Sequence, residues 1–255
     1  PELLLDATGY EPTIVADGNG MVVVAWYDNV ESGGSQISRR RSTNSGVTWE
    51  SLDAVSAAGG LDPALCINPG NNDFYFGWMR KPFGGGVMFE FRRSEDGDGF
   101  GAIQSVQTDM QHGEAVDRPW ITASPQSAYG NWYSKFDTDL RFKRGVVNPT
   151  TKEVVWGGNS DFVVYALRQG VASHMGPPTP IARGWGDEQG GGPVYLHSLS
   201  KQRNGSQQRA GNLIRYHRSG NNGADWDTSG YTFTSFSSHP DGYWQDVDFG
   251  LFNMH

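Results

Sequence analysis

Arg41-Ser42-Thr43-Asn44-Ser45-Gly46-Val47-Thr48-Trp49 and Arg218-Ser219-Gly220-Asn221-Asn222-Gly223-Ala224-Asp225-Trp226 follow one pattern, Ser-x-Asn-x-Gly-x-x-Trp. Each part has a physical job. The Ser and Asn side chains hydrogen-bond the backbone of their own turn, Gly takes a positive φ, and the Trp folds back over the hairpin. Arg93-Ser94-Glu95-Asp96-Gly97-Asp98-Gly99-Phe100 is a degenerate third copy, with Asp98 where Gly is expected and Phe100 one residue early. In all three, Arg-Ser ends a strand and enters a tight polar turn.

Upstream of the copies at Arg41 and Arg93 stands a second repeat. Glu11-Pro12-Thr13-Ile14-Val15-Ala16, a turn at Asp17 to Gly20, and Met21 to Trp26 read as strand, turn and strand. Asp62-Pro63-Ala64-Leu65-Cys66-Ile67 runs through Pro69-Gly70-Asn71-Asn72 to Trp78 in the same way, and Arg118-Pro119-Trp120-Ile121 runs through a turn at Pro125 to Gly130 into Trp132. Pro12, Pro63 and Pro119 are 51 and 56 residues apart, and a tryptophan follows each by 14, 15 and 13 positions. A period of about 40 to 50 residues is the mark of propeller blades. Thr179-Pro180-Ile181-Ala182 with Pro193 to His197 begins a fourth unit, and Val154 to Trp156 with Phe162 to Leu167 completes the third around a turn without the Ser-x-Asn pattern. Tyr243 to Phe252 opens a further inner strand, to which Glu2-Leu3-Leu4-Leu5 is expected to add the outer strand and so close the ring. The expectation is an all-β fold, a β-propeller of four-stranded antiparallel blades, five or six in number, as a single domain over residues 1–255 whose ring the chain can leave incomplete.

These turns resemble the Asp-box, or bacterial neuraminidase repeat, in which Ser-x-Asp-x-Gly-x-x-Trp lies between the third and fourth strands of a sialidase blade. Asn44 and Asn221 replace the usual Asp. The resemblance implies a sialidase-like propeller that acts on glycans, as a glycoside hydrolase of exo-sialidase type or a divergent relative. Sialidases also carry an Arg-Ile-Pro motif early in the ring, three arginines around the substrate carboxylate, a Tyr nucleophile paired with Glu, and an Asp acid/base. Glu11-Pro12 occupies the first-blade position here, and the nearest echo of the motif is Arg118-Pro119. The triad, Tyr and Glu therefore have no positional counterpart.

Composition agrees with the repeats. The 255 residues include 35 Gly, 13 Pro, 9 Trp, 10 Tyr and 13 Phe, with only 19% charged, which suits short strands and tight turns. A net charge of -8 opposes polyanions, so neither nucleic acid nor an anionic membrane is an expected partner. Cys66 is single and lies in an apolar stretch, which excludes an intrachain disulfide. No stretch approaches the ~20 apolar residues that span a bilayer. Pro1-Glu2-Leu3-Leu4-Leu5-Asp6 lacks the features of a signal peptide, and the expectation is a mature, secreted or extracellular chain. Gly84 to Gly86 and Gly190 to Gly192 are not followed by Lys-Ser/Thr and a helix, and the six histidines show no metal-ligand spacing. No metal and no cofactor are expected.

In a propeller of this kind the box turns lie on one face, and ligands bind at the other, around the axis. Candidates therefore lie just before the repeated prolines and just after the repeated tryptophans. Glu11, Asp28, Asp62, Asp117 and Arg118 are the expected catalytic group, because neighbouring carboxylates and an arginine can split their pKa values into an acid and a base. Tyr27, Arg80, Trp185, Asp241, Tyr243 and Trp244 are the expected ligand contacts, the last three from the polar-aromatic cluster His239 to Asp246. Two other functions fit the same residues: a non-catalytic carbohydrate-binding or adhesion module, and a scaffold for assembly. The glycan is the expected partner, and the sequence leaves the oligomeric state open.

Overall fold

The computed structural model describes residues 5, 8–30, 34–81, 86–107, 116–134, 139–157, 162–165, 179–182, 194–203, 209–221, 225–226 and 231–236. Among them every regular element is a strand. Four sheets follow one another along the chain, each antiparallel and ordered as in the sequence. The first holds β1 (Tyr10–Ala16), β2 (Val22–Val30), β3 (Gly34–Ser42) and β4 (Asp53–Ala54). The second holds β5 (Gly60–Ile67), β6 (Phe74–Arg80), β7 (Met88–Ser94) and β8 (Gln104–Ser105). The third holds β9 (Val116–Ser124), β10 (Ser127–Ser134) and β11 (Asp139–Val147), whose outer edge is shared by β12 (Val154–Trp156) and β13 (Phe162–Tyr165). The fourth holds β14 (Thr179–Ala182), β15 (Val194–Arg203), β16 (Arg209–Ser219) and β17 (Tyr231–Phe236). The repeated prolines all fall in first strands, which lie side by side in the order β1, β5, β9, β14. Among the described residues this is the four-stranded blade read from the sequence in three sheets, and in the third sheet the same blade with its outer edge split between two strands. Residues 2–4 and 243–252, expected to close the ring, lie outside the described residues.

Alternation along β6 shows how the blades adhere. Phe74, Phe76 and Trp78 pack toward the first blade against Val23, Ala25, Ile37 and Val55, whereas Tyr75 and Met79 pack toward the third against Val116, Ile121, Ala128 and Trp132. Successive side chains of a strand point to opposite faces, so a strand between two blades is apolar throughout. The ring of Phe89 lies across Gly77 of its own blade and Gly130 of the next, where an added Cβ would stand 2.9 and 2.8 Å from it. Glycine there permits the close approach of two sheets.

The box turns form as their chemistry requires. Ser42 Oγ accepts from Asn44 N and Gly46 N, Asn44 Oδ1 accepts from Thr48 N at 2.8 Å, and Trp49 Nε1 donates to Gly46 O. Gly46 has φ +84°. Asn221 repeats the role, its Oδ1 accepting from Asp225 N at 2.8 Å. The third blade does the same job without the motif, since Asn148 Oδ1 accepts from Thr150 N and Thr151 N. The degenerate copy departs from the pattern for a visible reason. Asp98 pairs with Arg39 of the first blade, and Phe100 receives the guanidinium groups of Arg39 and Arg92 at 5.3 and 4.9 Å. Residues freed from capping the turn clasp the neighbouring blade, while Gly97 supplies the positive φ of 74°.

Candidate functional site

The two ends of the blades are chemically distinct. At one end the first-to-second and third-to-fourth turns meet, with Ser45 N donating to Gly20 O and Val147 N donating to Gln126 O. At the other end each first strand begins opposite the end of its second strand, as in the pairs Tyr10 with Tyr27, Gly60 with Arg80, and Asp117 with Tyr133. This second end is the mouth at which the sequence places its candidates.

Here the first three blades share a deformation. Pairing slips between Tyr10 and Thr13, between Leu61 and Ala64, and opposite Asn131 to Tyr133, so each first strand carries a bulge at its X-Pro dipeptide. The residue before proline sits in the left-handed region each time: Glu11 at φ 50°, Asp62 at 48° and Arg118 at 49°. A non-glycine residue in that region costs of order 1 kcal/mol or more. A bulge re-aims the side chain at its apex. The three deformed residues are the acidic, acidic and basic candidates named from sequence.

Contacts tie these residues together across blades. Asp62 Oδ2 accepts from the backbone N–H of Arg118 at 3.3 Å, which joins the second blade to the third. The Tyr27 hydroxyl is held above its ordinary pKa of 10.0, first by partial burial, then by the negative charges of Glu11 and Asp62. Tyr27 is stacked on Tyr10 with centroids 5.2 Å apart and planes 19° from parallel. Tyr10 is 49% exposed and offers a ring face at the mouth. The result is two carboxylates, a phenol and an exposed aromatic at one rim.

Other candidates have different placements. Asp28 is buried, and both its oxygens are taken, by Trp26 Nε1 at 3.1 Å and Thr8 Oγ1 at 3.2 Å. It pins the first-blade tryptophan. In the second blade the equivalent indole, Trp78 Nε1, donates to Glu90 at 3.0 Å, and Arg80 Nη1 donates to the other oxygen of Glu90 at 2.8 Å. Glu90 was not among the sequence candidates because it lies on a third strand, outside the proline and tryptophan landmarks. Tyr10 and Thr8 were passed over for a similar reason, since each precedes the repeat. The backbone of Asp117 lies in β9 opposite Tyr133, and its side chain is outside the described residues. Trp185, Asp241, Tyr243 and Trp244 lie outside the described residues. Among the described residues no group of three or more His, Cys, Asp or Glu side chains has the geometry to hold a metal ion.

No protein-family model matches the chain, and no curated protein matches it. Solved structures do. The GH93 α-L-arabinofuranosidase of Fusarium graminearum, in complex with arabinobiose, superposes with a TM-score of 0.62 over 91% of this chain and 69% of that one, at 9% identity. A thermostable family-43 glycoside hydrolase gives 0.53 over 88% and 75%, at 10% identity. The catalytic domain of the Coprinopsis cinerea GH62 α-L-arabinofuranosidase gives 0.50 over 89% and 70%, at 10% identity. The fold is a β-propeller. At these identities the likeness extends to the scaffold and no further. The box-like turns are real local structures, but the similarity does not single out the sialidase branch of propeller proteins.

Proposed function

We propose that this chain is a glycoside hydrolase whose single propeller domain cleaves a terminal glycosidic bond at the mouth formed by Glu11, Asp62 and Arg118. The observation that carries the reading is the repeated bulge. Three first strands adopt the same strained conformation at the same step and bring carboxylates from two blades to one rim, where both act on Tyr27. Strain maintained at three equivalent places is characteristic of functional sites.

The chemistry needs two carboxyl groups in different protonation states. One donates its proton to the glycosidic oxygen as the bond to the anomeric carbon breaks. The other takes a proton from the incoming water or attacks the anomeric carbon itself. Asp62, whose Oδ2 is held in place by the Arg118 N–H, is assigned the role of base or nucleophile on the ground of that fixed position. Glu11 is assigned the acid. Arg118 borders the pair, Arg80 is oriented by Glu90, and Tyr10 with Tyr27 form the aromatic wall.

Sialic acid is not the substrate favoured by this rim, which has no three-arginine clamp among the described residues. A neutral pentose or hexose is favoured, in keeping with the arabinobiose bound by the Fusarium enzyme. Because its partners are glycans, secretion is the expected setting. A second reading has its own support: the exposed Tyr10 ring on Tyr27 suits sugar stacking without turnover, as in a binding module. Aryl α-L-arabinofuranosides, β-xylosides and sialosides tested in parallel separate these readings. Release of aryl alcohol from a neutral glycoside supports the hydrolase; saturable binding of xylo- or arabino-oligosaccharides with no release supports the binding module; release from the sialoside alone overturns the assignment of substrate.

A further inference from the structure

The opposite end of the ring holds a second feature that the catalytic proposal does not use. A groove of about 470 Å³ opens between the second and third blades, where the β5–β6, β9–β10 and β11–β12 turns meet. Its walls include Gly70, Asn71, Pro125, Arg144, Val146 and Lys152. Two cations and no carboxylate line it, in a chain of net charge -8. Asp73 and Glu153, close in sequence to lining residues Asn71 and Lys152, both face Arg93.

Arg144 is the residue that points to a ligand. Its Nε donates to Ser127 Oγ at 3.0 Å, and Ser127 is fully buried, so the guanidinium is anchored to the sheet at one edge. Its two Nη groups have no partner among the described residues, which leaves the forked edge open. Such a fork matches the two oxygens of a carboxylate. Beside it, Val146 is 50% exposed and Pro125 adds a second apolar surface. Lys152 Nζ is held by Pro149 O at 2.7 Å, on the same rim. An anchored fork, a second cation and an apolar floor within one groove suit a sugar ring that bears a carboxylate.

We propose that this groove binds a uronic acid unit of an acidic glycan, its carboxylate on Arg144 and its ring on Val146. The site is separate from the mouth and does not depend on the proposed hydrolysis. Titration of the whole chain with digalacturonate, xylobiose and inorganic phosphate, followed by calorimetry, tests it. Digalacturonate should bind saturably, xylobiose should not compete, and phosphate should bind more weakly. Arg144→Gln should weaken digalacturonate about tenfold or more, with Arg144→Lys intermediate, as expected for loss of a charge-assisted fork. Val146→Asp, on an exposed position that does not threaten folding, should abolish binding by placing an anion in the floor. Unchanged affinity in Arg144→Gln or in Val146→Asp overturns the proposal. So does displacement of digalacturonate by xylobiose, or equally tight binding of phosphate.

Discussion

Tyr27 reports on the mouth without any substrate. Folding raises its pKa, so the neutral phenol is the form that folding favours. That preference is fully present below the unfolded value near 10 and disappears as the pH rises through the folded value. Absorbance titration near 295 nm should therefore show one tyrosine ionising above its ordinary range, and Asp62→Asn and Glu11→Gln should each bring it down. A tyrosine that does not respond to either substitution would separate the carboxylates from the phenol. Tyr75, pushed up to about 12 by burial, should ionise only with unfolding. Asp28 has another role at this scale. Asp28→Ala leaves Trp26 Nε1 without its buried acceptor and should destabilise the chain by about 1 to 3 kcal/mol in thermal or urea unfolding.

At the scale of the strand, the proposed function sets the bulges against stability. Glu11→Gly removes a Cβ from a left-handed residue and should raise stability by up to about 1 kcal/mol while it lowers activity. The reverse holds at the box turn, where Gly46→Ala, at φ +84°, should cost about 1 kcal/mol or more. These elements differ in how legible they were. Proline and tryptophan landmarks located the first and second strands of the first three blades, and Pro180 with Pro193 those of the fourth, because X-Pro and alternating apolar residues have local causes. The positive φ at Glu11, Asp62 and Arg118 had no sequence signal, since none is glycine or asparagine and the residue before proline ordinarily prefers extended backbone. The pairing of Asp98 with Arg39 across 59 positions was equally hidden: it made the box at Ser94 read as degenerate.

The whole molecule depends on blades meeting face to face. Gly130→Leu would drive a side chain into Phe89, which already contacts Trp132 edge-on at 5.8 Å, and should separate the second and third blades, with a loss of about 3 kcal/mol or more in unfolding experiments. Global architecture was readable because the repeat period is a property of the blade. The arrangement of the candidate residues was readable only in part, because the ring decides which loops converge. Glu11, Asp62 and Arg118 were placed by repeat position, whereas Glu90 acts through the sheet from a third strand and needed the fold to be seen.

The central claim is that the rim holding Glu11 and Asp62 performs glycosidic bond cleavage. Its most direct test is kcat/KM on the best neutral aryl glycoside for the parent chain and for Asp62→Asn, with thermal unfolding measured on both. Loss of about 100- to 10,000-fold in kcat/KM with the unfolding midpoint little changed is the predicted result. Activity in Asp62→Asn within a few fold of the parent would contradict it.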